Sequence, residues 1–148
     1  MTRQLNLAEF LPYQLSVASN AVSTRIADVY QARFGLKIPE WRMMAVLGEG
    51  VPMTQRDLVR ATLMDKVTVS RATAALVDRG LIARAASESD GRSHLLTLTQ
   101  AGQSLYAEIA PVALEMERRL VAACLTASEQ KSLSDMLTRL REAANVIG

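Results

Sequence analysis

The stretch Thr54-Gln55-Arg56-Asp57-Leu58, followed by Asp65-Lys66-Val67-Thr68-Val69-Ser70-Arg71 and closed by Gly80, decides the fold of this chain. Thr54 is a good N-cap with Asp57 three residues on, and Met53 and Leu58 stand where a hydrophobic staple closes. This predicts a short helix over about 54–61. Asp65 is a second N-cap candidate, for a helix that runs to about Arg79 and stops at Gly80. Residues 81–86 (Leu-Ile-Ala-Arg-Ala-Ala) and 93–99 (Ser-His-Leu-Leu-Thr-Leu-Thr) then read as two strands. The polar segment Ser87-Glu-Ser-Asp-Gly-Arg92 joins them and holds Asp90-Gly91, a strong turn dipeptide.

Two capped helices joined by a short turn and followed at once by a ribbon make a winged helix-turn-helix. In such a unit the second helix enters a major groove and the ribbon tip reaches an adjacent groove. With Val69 set inward, Ala72, Thr73 and Leu76 fall on the same side at the helical period. Val67, Arg71 and Ala74 then point outward, with Thr68 and Ser70 on the flanks. An exposed face this slim suits groove entry. Arg71 matches guanine O6/N7, while Val67 and Thr68 match a thymine methyl or a phosphate. Lys66 and Ser70 complete the DNA-facing set on this helix. Thr54, Gln55 and Arg56 open the first helix of the pair, where free N–H groups and the dipole favour phosphate. Arg92, at the tip of the ribbon, suits a narrow minor groove. From Arg42 to Leu105 there is no Phe, Tyr or Trp. This part therefore lacks a stacking platform for unpaired bases, and duplex DNA is favoured.

Outward from this unit, residues 10–33 read as a long helix with an apolar stripe at Leu11, Leu15, Ala18, Val22, Ile26 and Val29. Between Phe10 and Tyr30 its only charges are Arg25 and Asp28, so both faces are expected to be at least partly covered. Gly35 ends it, and Pro39 opens a helix that continues through Trp41 to Leu47 until Gly48 and Gly50 break it. Thr99 caps a helix over about 100–124, in which Pro111 is expected to introduce a kink. The last helix begins at Thr126 with Glu129 completing a capping box, and carries Leu133, Met136, Leu137, Leu140 and Ala144 on one stripe. The expected fold is mainly α with a small β-wing, one chain over 1–148. A winged helix-turn-helix lobe over 36–99 is flanked by helical dimerisation regions over 8–34 and 100–148. Amphipathic helices at both ends need more surface to bury against than one small lobe supplies.

Composition narrows the function. With 148 residues, 49% hydrophobic and 22% charged, the chain has an ordinary globular balance, and its apolar runs are too short to cross a bilayer. The N-terminus has no secretory pattern, so a cytoplasmic location is the expectation. One cysteine and one histidine leave no intramolecular disulfide and no Cys/His metal cluster. No cofactor is implied. Residues 54–99 hold seven basic against five acidic side chains while the remainder is neutral, and Arg outnumbers Lys by 14 to 3. That bias suits phosphate and guanine. No glycine-rich phosphate loop, paired-acid motif or histidine dyad supports an enzyme.

Asp65-Lys-Val-Thr-Val-Ser-Arg71 through Leu76, Arg79-Gly-Leu-Ile-Ala-Arg84, Asp90-Gly-Arg92 and Leu98-Thr99-Gln-Ala-Gly102 together resemble the MarR family (multiple-antibiotic-resistance-type regulators). The hallmark is Asp-x-Arg followed, after five residues, by Leu-Thr, and the resemblance covers nearly the whole chain. It implies a homodimer with interlocked terminal helices, and two winged lobes on a pseudo-palindromic operator. It also implies transcriptional control, commonly repression relieved by a small effector, often a phenolic or other aromatic acid. Carried over residue by residue, Val67, Thr68 and Arg71 become base-reading positions, Arg92 the minor-groove arginine of the wing and Asp90 the acid that braces it.

Other residues have humbler roles. Cysteine-based oxidant sensing in this family generally uses the first helix, which here has none. Cys124 sits in the apolar run Val121-Ala-Ala-Cys-Leu125 and reads as a small buried hydrophobe. His94 reads as a hairpin residue near solvent or the DNA backbone. Trp41 reads as a core residue, although with Arg42 it begins a helix near the face carrying Tyr13, Ser16 and Asn20. An aromatic box with one cation suits an aromatic carboxylate or an acyl conjugate. The sequence thus points to a dimeric, sequence-specific duplex-binding regulator responsive to a small ligand. A winged module that binds protein without DNA is the alternative.

Overall fold

The computed structural model describes residues 3–86 and 94–148. After a 3-10 turn at Leu7–Glu9 come α1 (Leu11–Phe34), α2 (Ile38–Leu47), α3 (Gln55–Thr62), α4 (Lys66–Asp78), β1 (Ile82–Ala86), β2 (His94–Leu98), α5 (Gln100–Cys124) and α6 (Ala127–Val146). The chain divides into two compact units, Met1–Val112 and Ala113–Gly148. Helix α5 is continuous through Pro111 and runs across that division.

Local hydrogen bonds set the helix starts. Thr54 Oγ1 accepts from the Asp57 N–H at 3.1 Å and Asp57 Oδ2 accepts from the Thr54 N–H at 3.0 Å, a closed capping box. Thr126 and Glu129 repeat it at 3.0 and 3.1 Å. At α4, Asp65 accepts from the backbone N–H of Thr68 at 2.7 Å and from its hydroxyl at 2.9 Å. Backbone donation, then the hydroxyl, holds Asp57, Asp65 and Glu129 below the ordinary carboxylate range. The unfolded chain lacks these bonds, so their stabilisation is complete above the unfolded pKa, about 4, and is lost as pH falls through the lower folded values. Thermal midpoints should stay level from pH 7 to about 5 and drop below about 4. The drop should be shallower in an Asp57→Asn, Asp65→Asn, Glu129→Gln variant; equal slopes in both proteins would contradict the cap assignment.

In the first unit, α4 buries Val69, Ala72, Thr73 and Leu76, the inward set expected from its period. They join Leu36, Met43, Met44, Leu58, Leu96 and Ile109 in the core, all essentially without solvent contact. The buried Thr73 hydroxyl donates to Val69 O at 2.8 Å, so no polar group is stranded there. The ribbon is antiparallel, with Ile82 opposite Leu98 and Ala86 opposite His94. Met53 adds a rung on the free edge of β2, exchanging backbone bonds with Leu96 at 3.1 and 2.7 Å. This contact lies outside the staple expected with Leu58.

Two longer-range links fasten the lobe. Arg79, just past α4, donates to Phe34 O at 3.0 Å and Gly35 O at 3.2 Å. A cation thereby satisfies carbonyls at the C-terminal end of α1, where the helix dipole favours it, and Gly35 turns the chain in the left-handed region at φ 66°. At the other end of the ribbon, Thr99 Oγ1 donates to Gly80 O at 2.6 Å and accepts from the Gly102 N–H at 3.1 Å. The Thr99 N–H donates to Leu81 O at 3.0 Å. A Cβ on Gly102 would collide with Leu81 O and meet Leu98 Cδ2 at 3.3 Å. The Leu-Thr-x-x-Gly run thus starts α5 against the backbone that leads into β1.

The first helix is only partly covered by its own chain. Of its stripe, Leu15, Ile26 and Val29 are half-buried and Leu11, Ala18 and Val22 are exposed, while the buried residues are Ala27 and Tyr30. Only its last turns reach the core. In the second unit α6 buries nothing, and Leu133, Met136, Leu137 and Leu140 are 40–45% exposed. Arg118 and Arg119 bind the Glu115 carboxylate at 2.7 and 3.0 Å and hold its pKa at about 2. Cys124, expected in the interior, is exposed. A five-residue apolar run winds around every face of a helix, so it cannot say which side is covered.

Candidate nucleic-acid interface

With its inner side spent on the core, α4 turns Lys66, Val67, Ser70, Arg71 and Ala74 outward. Four of these, with Gln55 from the start of α3, line one depression of about 500 Å³. An amide, an ammonium, a hydroxyl, a guanidinium and one apolar side chain thus share a surface with no acidic residue in its lining. Arg71 makes no hydrogen bond or ion pair with any described residue and is exposed, so its fork is available. Arg56 and Arg60 are exposed on α3. The nearby carboxylates of Asp57 and Asp65 stay ionised within their caps, and the four cations Arg56, Arg60, Lys66 and Arg71 outnumber them.

The other expected positions are less free. Thr54 and Thr68 are half-buried and their hydroxyls serve caps. What they offer a phosphate is a correctly presented helix N-terminus rather than a spare hydroxyl. His94 is exposed on β2. Arg84, exposed on β1 opposite Leu96, is a basic ribbon residue that the sequence reading did not single out. Asp90 and Arg92 lie outside the described residues.

The residues expected to hold an effector are not all brought together. Trp41 is half-buried, 5.7 Å from Tyr30 and 6.1 Å from Tyr106 between ring centroids, the latter nearly parallel at 20°. Tyr106 in turn occupies the space that a Cβ on Gly48 would need, at 2.7 Å. Burial pushes the Tyr30 phenol above its ordinary value while the Arg42 guanidinium pulls it down. Arg42 itself is exposed. Tyr13, Ser16 and Asn20 are exposed on α1, roughly 15–26 Å of helix away from Tyr30 by the rise per residue. One chain therefore does not close a box from all five. Among the described residues no group of His, Cys, Asp or Glu is placed to hold a metal, and no helix is long and apolar enough to cross a membrane.

A capped helix pair with a slim basic outer face and a ribbon directly behind it defines a winged helix-turn-helix DNA-binding regulator. The family model described as "MarR family" matches residues 34–93. An HTH-type transcriptional repressor of Mycobacterium tuberculosis is 31% identical over 106 residues, covering 72% of this chain and 76% of its own. The crystal structure of a probable transcriptional regulator from Pseudomonas aeruginosa is 32% identical, with a TM-score of 0.76 over 91% of this chain and 99% of that one. Sco3205 of Streptomyces coelicolor, a MarR family regulator solved in complex with DNA, shares the fold at 23% identity, with a TM-score of 0.84 over 97% and 91% of the two chains. The chain belongs to the MarR family of transcriptional regulators, which are not enzymes.

Proposed function

We propose that the chain is a homodimeric, cytoplasmic repressor. Two lobes hold a pseudo-palindromic duplex operator, and a small aromatic acid or acyl conjugate modulates the grip. The observation that carries this reading is the acid-free depression where Gln55, Lys66, Val67, Ser70 and Arg71 converge. Lys66, Val67, Thr68, Ser70 and Arg71 face the major groove, the start of α3 (Thr54, Gln55, Arg56) faces phosphate, and Arg92, braced by Asp90, enters the minor groove. Supporting the dimer, Leu5, Leu7, Phe10 and Leu11 near the N-terminus and Leu133, Met136, Leu137 and Leu140 of the α6 stripe are 40–62% exposed, apolar surface that a second copy would cover. Two-fold symmetry then sets the lobes about one DNA turn, roughly 34 Å, apart.

For the effector, Trp41 and Arg42 of one chain are completed by Tyr13, Ser16 and Asn20 of the second copy, since α1 is too long for one chain to supply both halves. An aromatic acid fits an aromatic edge beside a guanidinium. The Bordetella bronchiseptica protein BpsR, of the same fold at 22% identity and a TM-score of 0.79, has its DNA binding regulated by 6-hydroxynicotinic acid.

Titration of duplex fragments from the chain's own genomic neighbourhood tests the reading. If Arg56 and Lys66 of each lobe neutralise one phosphate apiece, affinity should fall about a hundredfold between 50 and 200 mM salt. A monomer in solution, a flat salt response or no preference over random competitor DNA would overturn it. Melting curves with aromatic acids and their thioesters should show a raised midpoint, and no shift with any of them would remove the effector part alone.

A further inference from the structure

Three consecutive residues tie the end of α4 to two other helices. Arg79 spreads its fork over the end of α1, donating from one nitrogen to Phe34 O at 3.0 Å and from the other to Gly35 O at 3.2 Å. Gly80 O accepts from the Thr99 hydroxyl and Leu81 O from the Thr99 N–H, which fixes the same place to the start of α5. The rest of α1 has little to hold it to the lobe. Ala27 and Tyr30 are buried and Ile26 and Phe34 pack against the core, but from Leu11 to Arg25 every residue except Leu15 and Ser23 is exposed. Among the described residues, the two Arg79 bonds are the only hydrogen bonds that join α1 to α2, α3, α4 or the ribbon. Arg79 is exposed and pairs with no described acid, so little folding stability hangs on it. What it supplies is direction: a planar fork bound through two nitrogens resists a rotation that a single bond allows. Helix α1 has 24 residues, about 36 Å. A tilt of about 5° where it meets α4 therefore moves its far end about 3 Å, close to the rise of one base pair.

We propose that Arg79 is a positioning residue: its fork fixes the angle between α1 and α4, and thereby the spacing of half-sites that the paired lobes accept. The inference rests on the homodimeric duplex reading above, in which the exposed apolar beginning of α1 meets a second copy. Two half-sites engaged together bind far more tightly than one, and the gain is lost when their geometry does not suit the protein. One base pair added between them shifts a half-site by about 3.4 Å and turns it by about 34°. The test titrates the full chain against a duplex that it selects in vitro, the same duplex with one or two base pairs added or removed between half-sites, and a lone half-site. The parent should lose about tenfold or more on each altered spacing. Arg79→Met, which keeps the stem without the fork, should stay dimeric, bind the lone half-site as the parent does, and lose less than about threefold across the spacings. Arg79→Lys returns a cation to the carbonyls without the fork and should fall between the two. A merely stabilising role would lower the melting midpoint and leave the spacing preference intact, which would overturn the proposal. So would a parent indifferent to spacing, or Arg79→Lys no more selective than Arg79→Met. Weaker binding of the lone half-site by Arg79→Met would give the side chain to a phosphate and equally overturn it. Should Arg79→Met fail to fold, Arg79→Lys decides, and the parent's full selectivity in it would count against the fork. A monomeric parent, or one that selects no duplex, would sink the underlying reading, whereas a duplex-binding dimer with Arg79→Met as selective as the parent would sink only this inference.

Discussion

Replacing Gly102 by alanine is expected to lower the melting midpoint by roughly 10 °C, the consequence of about 3 kcal/mol lost. Two effects oppose each other. Alanine favours a helix over glycine by about 1 kcal/mol, and Gly102 lies in the first turn of α5, where that gain is smaller. Against it, the new Cβ would collide with Leu81 O, a backbone atom already bound to the Thr99 N–H, and would press Leu98 at 3.3 Å. A flexible side chain could yield, but a carbonyl tied into the start of the ribbon yields only by moving β1. The steric term therefore wins, at or above the top of the usual 1–3 kcal/mol for an overpacked core. Gly35→Ala is the control. It has open space around it and only the strain of φ 66° to bear, so it should cost about 1–2 kcal/mol. Calorimetry of the two variants checks the ordering, and Gly102→Ala melting at or above Gly35→Ala would refute the crossing of α5 over Leu81.

Arg71→Ala should weaken operator binding by about 1–3 kcal/mol, roughly 5- to 150-fold, and make the protein indifferent at one base pair of each half-site. The side chain is exposed and holds no described partner, so its removal should leave the melting curve where it was. That separates recognition from folding. Arg92→Ala should weaken binding by a similar amount with the base preference under α4 intact, because a minor-groove arginine reads width and potential rather than a donor pattern. Competition against a panel of single-base operator variants distinguishes the two. Full affinity in both proteins would remove both assignments.

The parts of this structure legible in the sequence are those held by short-range chemistry. A cap bond spans three residues, so Thr54 with Asp57, Asp65 with Thr68, and Thr126 with Glu129 announce three helix starts. The inner side of α4 follows from the helical period alone, and with it the identity of the outward residues. What escaped was non-local. Nothing near Arg79 says that its guanidinium will reach Phe34 and Gly35, 45 and 44 residues back, and nothing near Met53 names Leu96. The stripe of α1 is a related case: periodicity reveals that one side is apolar, not how much of it the chain itself will cover. Cys124 shows the limit where an apolar run has no period to read. The effector group was drawn from two helices, Tyr13, Ser16 and Asn20 on α1 with Trp41 and Arg42 on α2, and only the folded chain discloses that Trp41 packs beside Tyr30, near the far end of α1.

The rung between Met53 and Leu96 has a mechanical consequence. A two-stranded hairpin alone is marginal in water, and here its inner strand is bolted to the segment from which α3 departs. Hinging of the ribbon at its root would break two backbone bonds, so its offset from the helix pair is a built-in calliper. A double helix whose grooves are set at a different interval has to bend or twist to fit the gauge. The elastic cost of doing so falls on the nucleic acid, and sequences that deform readily would be favoured even at base pairs the protein never touches.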